Sequence, residues 1–128
     1  MPTSPSEPLK LALWAFLAAA SILLRGCCGA SCGINRPTVQ QTQVGRGNPP
    51  KFTVEIRNNC QTCPAINIHI KCGNFSQALV NPKLFRVLAY DDCVVNSGLP
   101  LAPLQKLSFS YSHQKFLMSL RTWYFQCE

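Results

Sequence analysis

Alternating apolar and polar side chains dominate the second half of the chain. In residues 52–56, FTVEI, Phe52, Val54 and Ile56 point one way while Thr53 and Glu55 point the other. Residues 66–72, INIHIKC, repeat the pattern, with Ile66, Ile68, Ile70 and Cys72 on one side and Asn67, His69 and Lys71 opposite. Period-two alternation rich in β-branched residues marks a half-buried strand. Further strands are predicted at 75–80, 84–88, 93–95, 107–111 and 117–126, although NPKLFRVL also fits a turn of helix with Leu84, Val87 and Leu88 on one side. The breaks carry turn chemistry at Asn58-Asn59, Gly73-Asn74, Asn81-Pro82, Asp91-Asp92, Asn96-Ser97-Gly98 and the proline-bracketed stretch 100–103. Six or seven short strands with no long helical pattern between them predict an all-β fold, a small antiparallel β-sandwich.

The first part of the chain obeys a different pattern. Lys10 precedes an apolar run at 11–24, LALWAFLAAASILL, which Arg25 closes and the small residues of GCCGASCG follow. That run has the length of a signal-peptide core and is short for a membrane span. Cleavage after Ala30 would place Cys28 and Ala30 at the two small-residue positions; Gly26 and Gly29 are alternative ends, and a retained signal anchor is the competing reading. Residues 31–50, polar and rich in Gly, Pro and Gln, read as a loosely ordered arm tethered by Cys32 and ended by Pro49-Pro50. The expected organisation is therefore a signal peptide at 1–30, the arm at 31–50 and the β-sandwich at 51–128, with no integral membrane span after cleavage.

Eight cysteines in 128 residues point to an oxidising compartment, where thiols become staples. Removing residues 1–30 discards Cys27 and Cys28 and leaves Cys32, Cys60, Cys63, Cys72, Cys93 and Cys127, an even set that allows three bridges with the pairing open. Cys60-Gln61-Thr62-Cys63 has the spacing of a redox pair, but Pro64 and an alternating strand follow it, so no helix N-terminus is there to lower a thiol pKa. Two structural cysteines with different partners is the favoured reading. A zinc site from Cys60, Cys63, His69 and Cys72 is disfavoured because His69 and Cys72 have opposite parity on one strand. No metal or other cofactor is expected.

The formal charge of +7 is spread over single Lys and Arg residues with none adjacent, which argues against nucleic acid and leaves acidic partners open. Carboxylates are scarce: past residue 30 the chain has Glu55, Asp91, Asp92 and Glu128. Neighbouring Asp91 and Asp92 do not make a glycosidase pair, and neither His69 nor His113 sits in a recognisable nucleophile–base constellation. An enzyme is not expected. Asn74-Phe75-Ser76 is a candidate N-glycosylation sequon.

The stretches FTVEIRNNC, INIHIKCGNFS, LVNPKLFRVLAYDDCVVNSGLPL and LSFSY, in that order between Phe52 and Cys127, resemble the tapetum determinant family of small secreted plant proteins. The resemblance implies a secreted, apoplastic protein ligand that binds the leucine-rich-repeat ectodomain of a receptor kinase and specifies cell fate in anther development. It also implies that the six cysteines retained after cleavage fall at the family's cysteine positions. Two departures stand out: Pro103-Leu104 occupies the place of a proline-glycine before LSF, which predicts a reshaped turn, and the tail carries Arg121, Trp123 and Tyr124 in place of smaller residues.

The leading function is thus a receptor ligand, with Arg57, His69, Lys71, Lys83, Arg86 and Arg121 as candidate partner contacts on otherwise ordinary solvated faces. The alternative is an apoplastic carbohydrate- or cell-wall-binding module or inhibitor, which would display a row of coplanar aromatics. Strand alternation splits consecutive Trp123, Tyr124 and Phe125 between two faces. A basic antimicrobial peptide ranks third, because cationic charge is not segregated from apolar surface.

Overall fold

A computed structural model of the chain describes residues 32–127; the expected signal peptide lies outside them. Seven strands and two short 3-10 turns follow one another: β1 (Thr38–Gly45), β2 (Lys51–Arg57), β3 (Ala65–Lys71), a turn at Gln77–Leu79, β4 (Phe85–Ala89), β5 (Asp92–Val95), a turn at Asn96–Gly98, β6 (Lys106–Ser112) and β7 (Ser119–Phe125). They form a three-stranded sheet in the order β1-β2-β6 and a four-stranded sheet in the order β4-β5-β3-β7, every pair antiparallel. The inner faces share one core. Val54, Ile56 and Phe109 from the first sheet meet Ile68, Ile70, Phe85 and Val95 from the second, and the rings of Phe85 and Phe109 lie 4.7 Å apart by centroid. The expected antiparallel β-sandwich is the observed fold.

Three local departures have physical causes. Thr38–Gly45, inside the stretch expected to be a loosely ordered arm, is a strand paired along β2. After Val39, its inward positions Gln41 and Gln43 carry amides where a hydrophobic alternation would have announced it. Gln41 satisfies its own amide: Nε2 donates to the Phe116 carbonyl at 2.6 Å, and Oε1 accepts from the Tyr111 hydroxyl at 2.5 Å. A buried polar group is tolerated when paired in this way.

In β3 the predicted parity breaks at Asn67, whose φ of +50° is left-handed, a conformation Asn adopts more readily than most residues. The register with β7 shifts between Ile66 and His69. Ala65 therefore turns into the core with Ile68 and Ile70, and Ile66 does not join them.

The third departure is the strand expected at 75–80. Phe75 is buried, but the chain then turns through Gln77–Leu79, with the Ser76 hydroxyl capping Ala78 N–H. The Gln77 side chain takes over the pairing role: Nε2 donates to the carbonyl of Phe85 and Oε1 accepts from Val87 N–H. These bonds cover the open edge of β4, which limits unwanted strand addition there. Between the two readings of NPKLFRVL, the strand prevails from Phe85, preceded by a turn in which Leu84 and Phe85 N–H both donate to the Asn81 carbonyl.

Candidate partner-binding face

Cysteines fix the frame. Cys32 with Cys60, Cys63 with Cys127, and Cys72 with Cys93 lie at disulfide pairing, with Cα separations of 5.5, 5.5 and 6.1 Å. Cys60 and Cys63 thus join different partners, and neither is a redox mate of the other. The sulfurs of Cys32, Cys60 and Cys63 gather within 4.8 Å of one another; in bridged form they offer no thiolate to a metal, and His69 is engaged elsewhere.

Four of the six candidate contact residues share the outer face of the four-stranded sheet. The register runs Arg86 opposite Val94, Val94 opposite His69, and His69 opposite Thr122. Directly paired residues project to the same side, so these four form one row across all four strands. Lys71 follows His69 by one period on β3, and Arg121 reaches in from β7 with Nε 3.9 Å from Asp92 Oδ1. Asp92 holds the centre: its Oδ1 lies 2.6 Å from His69 Nδ1. Val94, 7% exposed, is buried on this outer face, outside the main core, with the turn at Gly98 close to its Cγ2.

The other two candidates stand apart. Arg57 projects from the outer face of the three-stranded sheet between Thr38 and Lys106. Lys83 sits exposed in the turn before β4, its N–H donating to Asn81 Oδ1. Asn74 is exposed at the end of β3.

The carboxylates resolve into single tasks. Asp91 accepts from Gly73 N–H at 2.8 Å, fastening the β4–β5 turn to the end of β3, while Asp92 orients His69. A hydrolytic relay would also need a nucleophile on the second imidazole nitrogen, and no hydroxyl or thiol among the described residues bonds it. Trp123 and Phe125 turn toward the core and meet edge to face at 6.4 Å, whereas Tyr124 is exposed. The three do not make a flat sugar platform.

Beside this face opens a cavity of about 380 Å³ lined by Val39, Gln41, Lys71, Asp91, Lys115 and Met118, among others. Lys71 belongs to both. The volume is at the small end for ligand sites, enough for one inserted side chain.

Sequence reasoning missed Asn58. It is fully buried, donates to the carbonyls of Cys63, Leu101 and Ala102, and accepts from Cys60 N–H. Its sequence signal was a turn pair, Asn58-Asn59, which carries no hint of burial.

The family described as Tapetum determinant 1, C-terminal, matches residues 34–128. An uncharacterised protein of Arabidopsis thaliana is 47% identical over 96% of this chain and 99% of its own length. TPD1 protein homolog 1 of the same plant is 54% identical over half of this chain and 37% of its own length. TPD1 protein homolog 1A of rice, Oryza sativa subsp. japonica, is 38% identical over 54% of this chain and 36% of its own. The match therefore spans little more than a third of those two named relatives. No solved structure matches.

Proposed function

The chain belongs to the tapetum determinant family, and from that premise we propose that it is a secreted protein ligand that acts by binding, without catalysis. Its partner is the leucine-rich-repeat ectodomain of a receptor kinase, and the outcome is a cell-fate decision in anther or reproductive development. The contact surface is the outer face of the four-stranded sheet.

The observation that carries this reading is the row of Arg86, Val94, His69 and Thr122, extended by Lys71 and Arg121. A twisted sheet stapled by three bridges holds these groups with little conformational freedom, so little is lost on docking. Concave repeat surfaces suit a rigid partner of this size. The face is cationic and offers a single carboxylate, so the receptor surface it fits is acidic. Complementary charge of that kind speeds encounter and sets register more than it deepens affinity. The ligand activates by binding one receptor assembly better than the others. Family membership and a bridge-rich fold both support export to the apoplast, where disulfides persist. Among the described residues no helix is long and apolar enough to cross a membrane.

The test is binding of the purified, oxidised protein to a panel of leucine-rich-repeat ectodomains. The double variant Arg86→Glu with Arg121→Glu should lower the association rate roughly tenfold toward the cognate ectodomain and flatten its salt dependence. Unchanged kinetics would remove this face from the interface.

A further inference from the structure

We infer that Asn74 carries an N-linked glycan. The inference rests on the reading that the chain enters the secretory lumen, because the donor, a lipid-pyrophosphate-linked oligosaccharide, is presented there.

The sequon Asn74-Phe75-Ser76 divides its side chains by task. Asn74 and Ser76 are exposed, while Phe75, 4% exposed, is a core residue. Its ring meets Phe85 at 5.3 Å, Tyr111 at 5.4 Å and Phe116 at 4.9 Å. Burying the middle residue turns the flanking two outward. Gly73, with φ +58°, makes the left-handed turn that brings Asn74 out of β3, and nothing lies within 4 Å of the position a Cβ would occupy there. The Asn74 amide appears in no hydrogen bond among the described residues, as with Asn35, Asn48 and Asn67, whereas the amides of Asn58, Asn59, Asn81 and Asn96 are used by the fold. Asn74 is thus surplus to the fold and free to be modified.

In the transfer, Asn74 Nδ2 forms a bond to the anomeric carbon of the first sugar as the bond from that carbon to the pyrophosphate oxygen breaks. The amide loses one proton to the transferase, and the lipid pyrophosphate leaves. Because Phe75 is buried and Cys72 is joined to Cys93 in the finished fold, transfer precedes closure of this loop. Once attached, the glycan projects from the turn without displacing a core side chain.

The full chain, expressed in plant cells and collected from the medium, tests this. Treatment with a plant-active peptide N-glycosidase in heavy-oxygen water should collapse its mobility to that of Asn74→Gln and leave labelled aspartate at position 74. Ser76→Thr, which keeps both the sequon and a capping hydroxyl, should retain the shift; Ser76→Ala should lose it. Secreted protein that co-migrates with Asn74→Gln before treatment would overturn the inference and leave secretion intact. Protein confined to the cytosol would overturn both. For the order of events, translation of the full chain into microsomes should give occupancy with dithiothreitol at least equal to that without it. Lower occupancy under reductant would show that transfer needs the closed loop.

Discussion

Asp92 Oδ1 stands 2.6 Å from His69 Nδ1, joining β5 to β3 at the centre of the cationic face. The pair is partly exposed, so its own contribution to stability is about 0.5–1 kcal/mol. Its larger effect is on the field, because Asp92 offsets charge from Arg121. Asp92→Asn should therefore raise the association rate toward an acidic ectodomain roughly threefold at low salt, while shifting the urea midpoint little. Stopped-flow or surface-capture kinetics would check it, and a slower association would mean that Asp92 itself touches the receptor.

Gln41 bonds both Tyr111 and the Phe116 carbonyl from a strand with few apolar anchors. Gln41→Ala leaves the Phe116 carbonyl and the hydroxyl proton of the buried Tyr111 without the Gln41 partner, at about 2–3 kcal/mol. Equilibrium urea unfolding should record that loss. Amide exchange along β1 should rise more than along β2, since β1 is the edge strand.

Leu104 holds φ at +63° in the third position of the turn 102–105, which Gln105 N–H closes onto the Ala102 carbonyl at 2.9 Å. The turn predicted to be reshaped keeps the backbone conformation that glycine would favour, with Pro103 in the second position as such turns prefer. A left-handed non-glycine residue costs about 1–2 kcal/mol. Leu104→Gly should stabilise the domain by about 1 kcal/mol after its entropic cost is subtracted, read as a rise in thermal midpoint. A fall would show that the half-exposed leucine contributes packing that outweighs the strain.

Tyr111 is inside the sandwich, and burial pushes its phenol pKa above the ordinary value, opposed by its bond with the Phe116 backbone. The unfolded chain ionises first, near pH 10. Stability from this group is complete below that pH and is lost as pH rises through the folded-state value. Tyr111→Phe should flatten the alkaline limb of the stability curve, although it also removes the bond to Gln41.

Removing bridges should cost most where the enclosed loop is longest. Cys63–Cys127 spans 64 residues, Cys32–Cys60 28 and Cys72–Cys93 21. Chain entropy gives about 4 kcal/mol for the first and about 3–4 for the others. Paired Cys→Ser variants compared by denaturant unfolding would test the order. A larger loss at Cys72–Cys93 would point to core packing as the dominant contribution, since both of its cysteines belong to the main hydrophobic core.

Much of this architecture was legible because strands announce themselves through alternation. Phe52, Val54 and Ile56 gave β2 its inward face, and Phe109 and Tyr111 did the same for β6. Where polar side chains do structural work, the pattern was silent. Gln41 hid an edge strand, Gln77 replaced a strand with a side-chain clamp, and Asn58 knits three backbone segments from inside the core. Each is an amide that acts through hydrogen bonds, which hydropathy does not register. The cationic face was half legible. Parity placed His69 and Lys71 together, but only register could align Arg86 with them and set Arg57 on the opposite sheet.

The segment from Cys60 to Cys63 receives a covalent strut from each extremity of the folded domain, from Cys32 on one side and Cys127 on the other. Both ends therefore emerge at one pole. A sensor surface, a reporter domain or a cell-wall tether attached at either would grip the molecule at the same point and leave it presented in the same attitude, with the far pole free to meet whatever approaches.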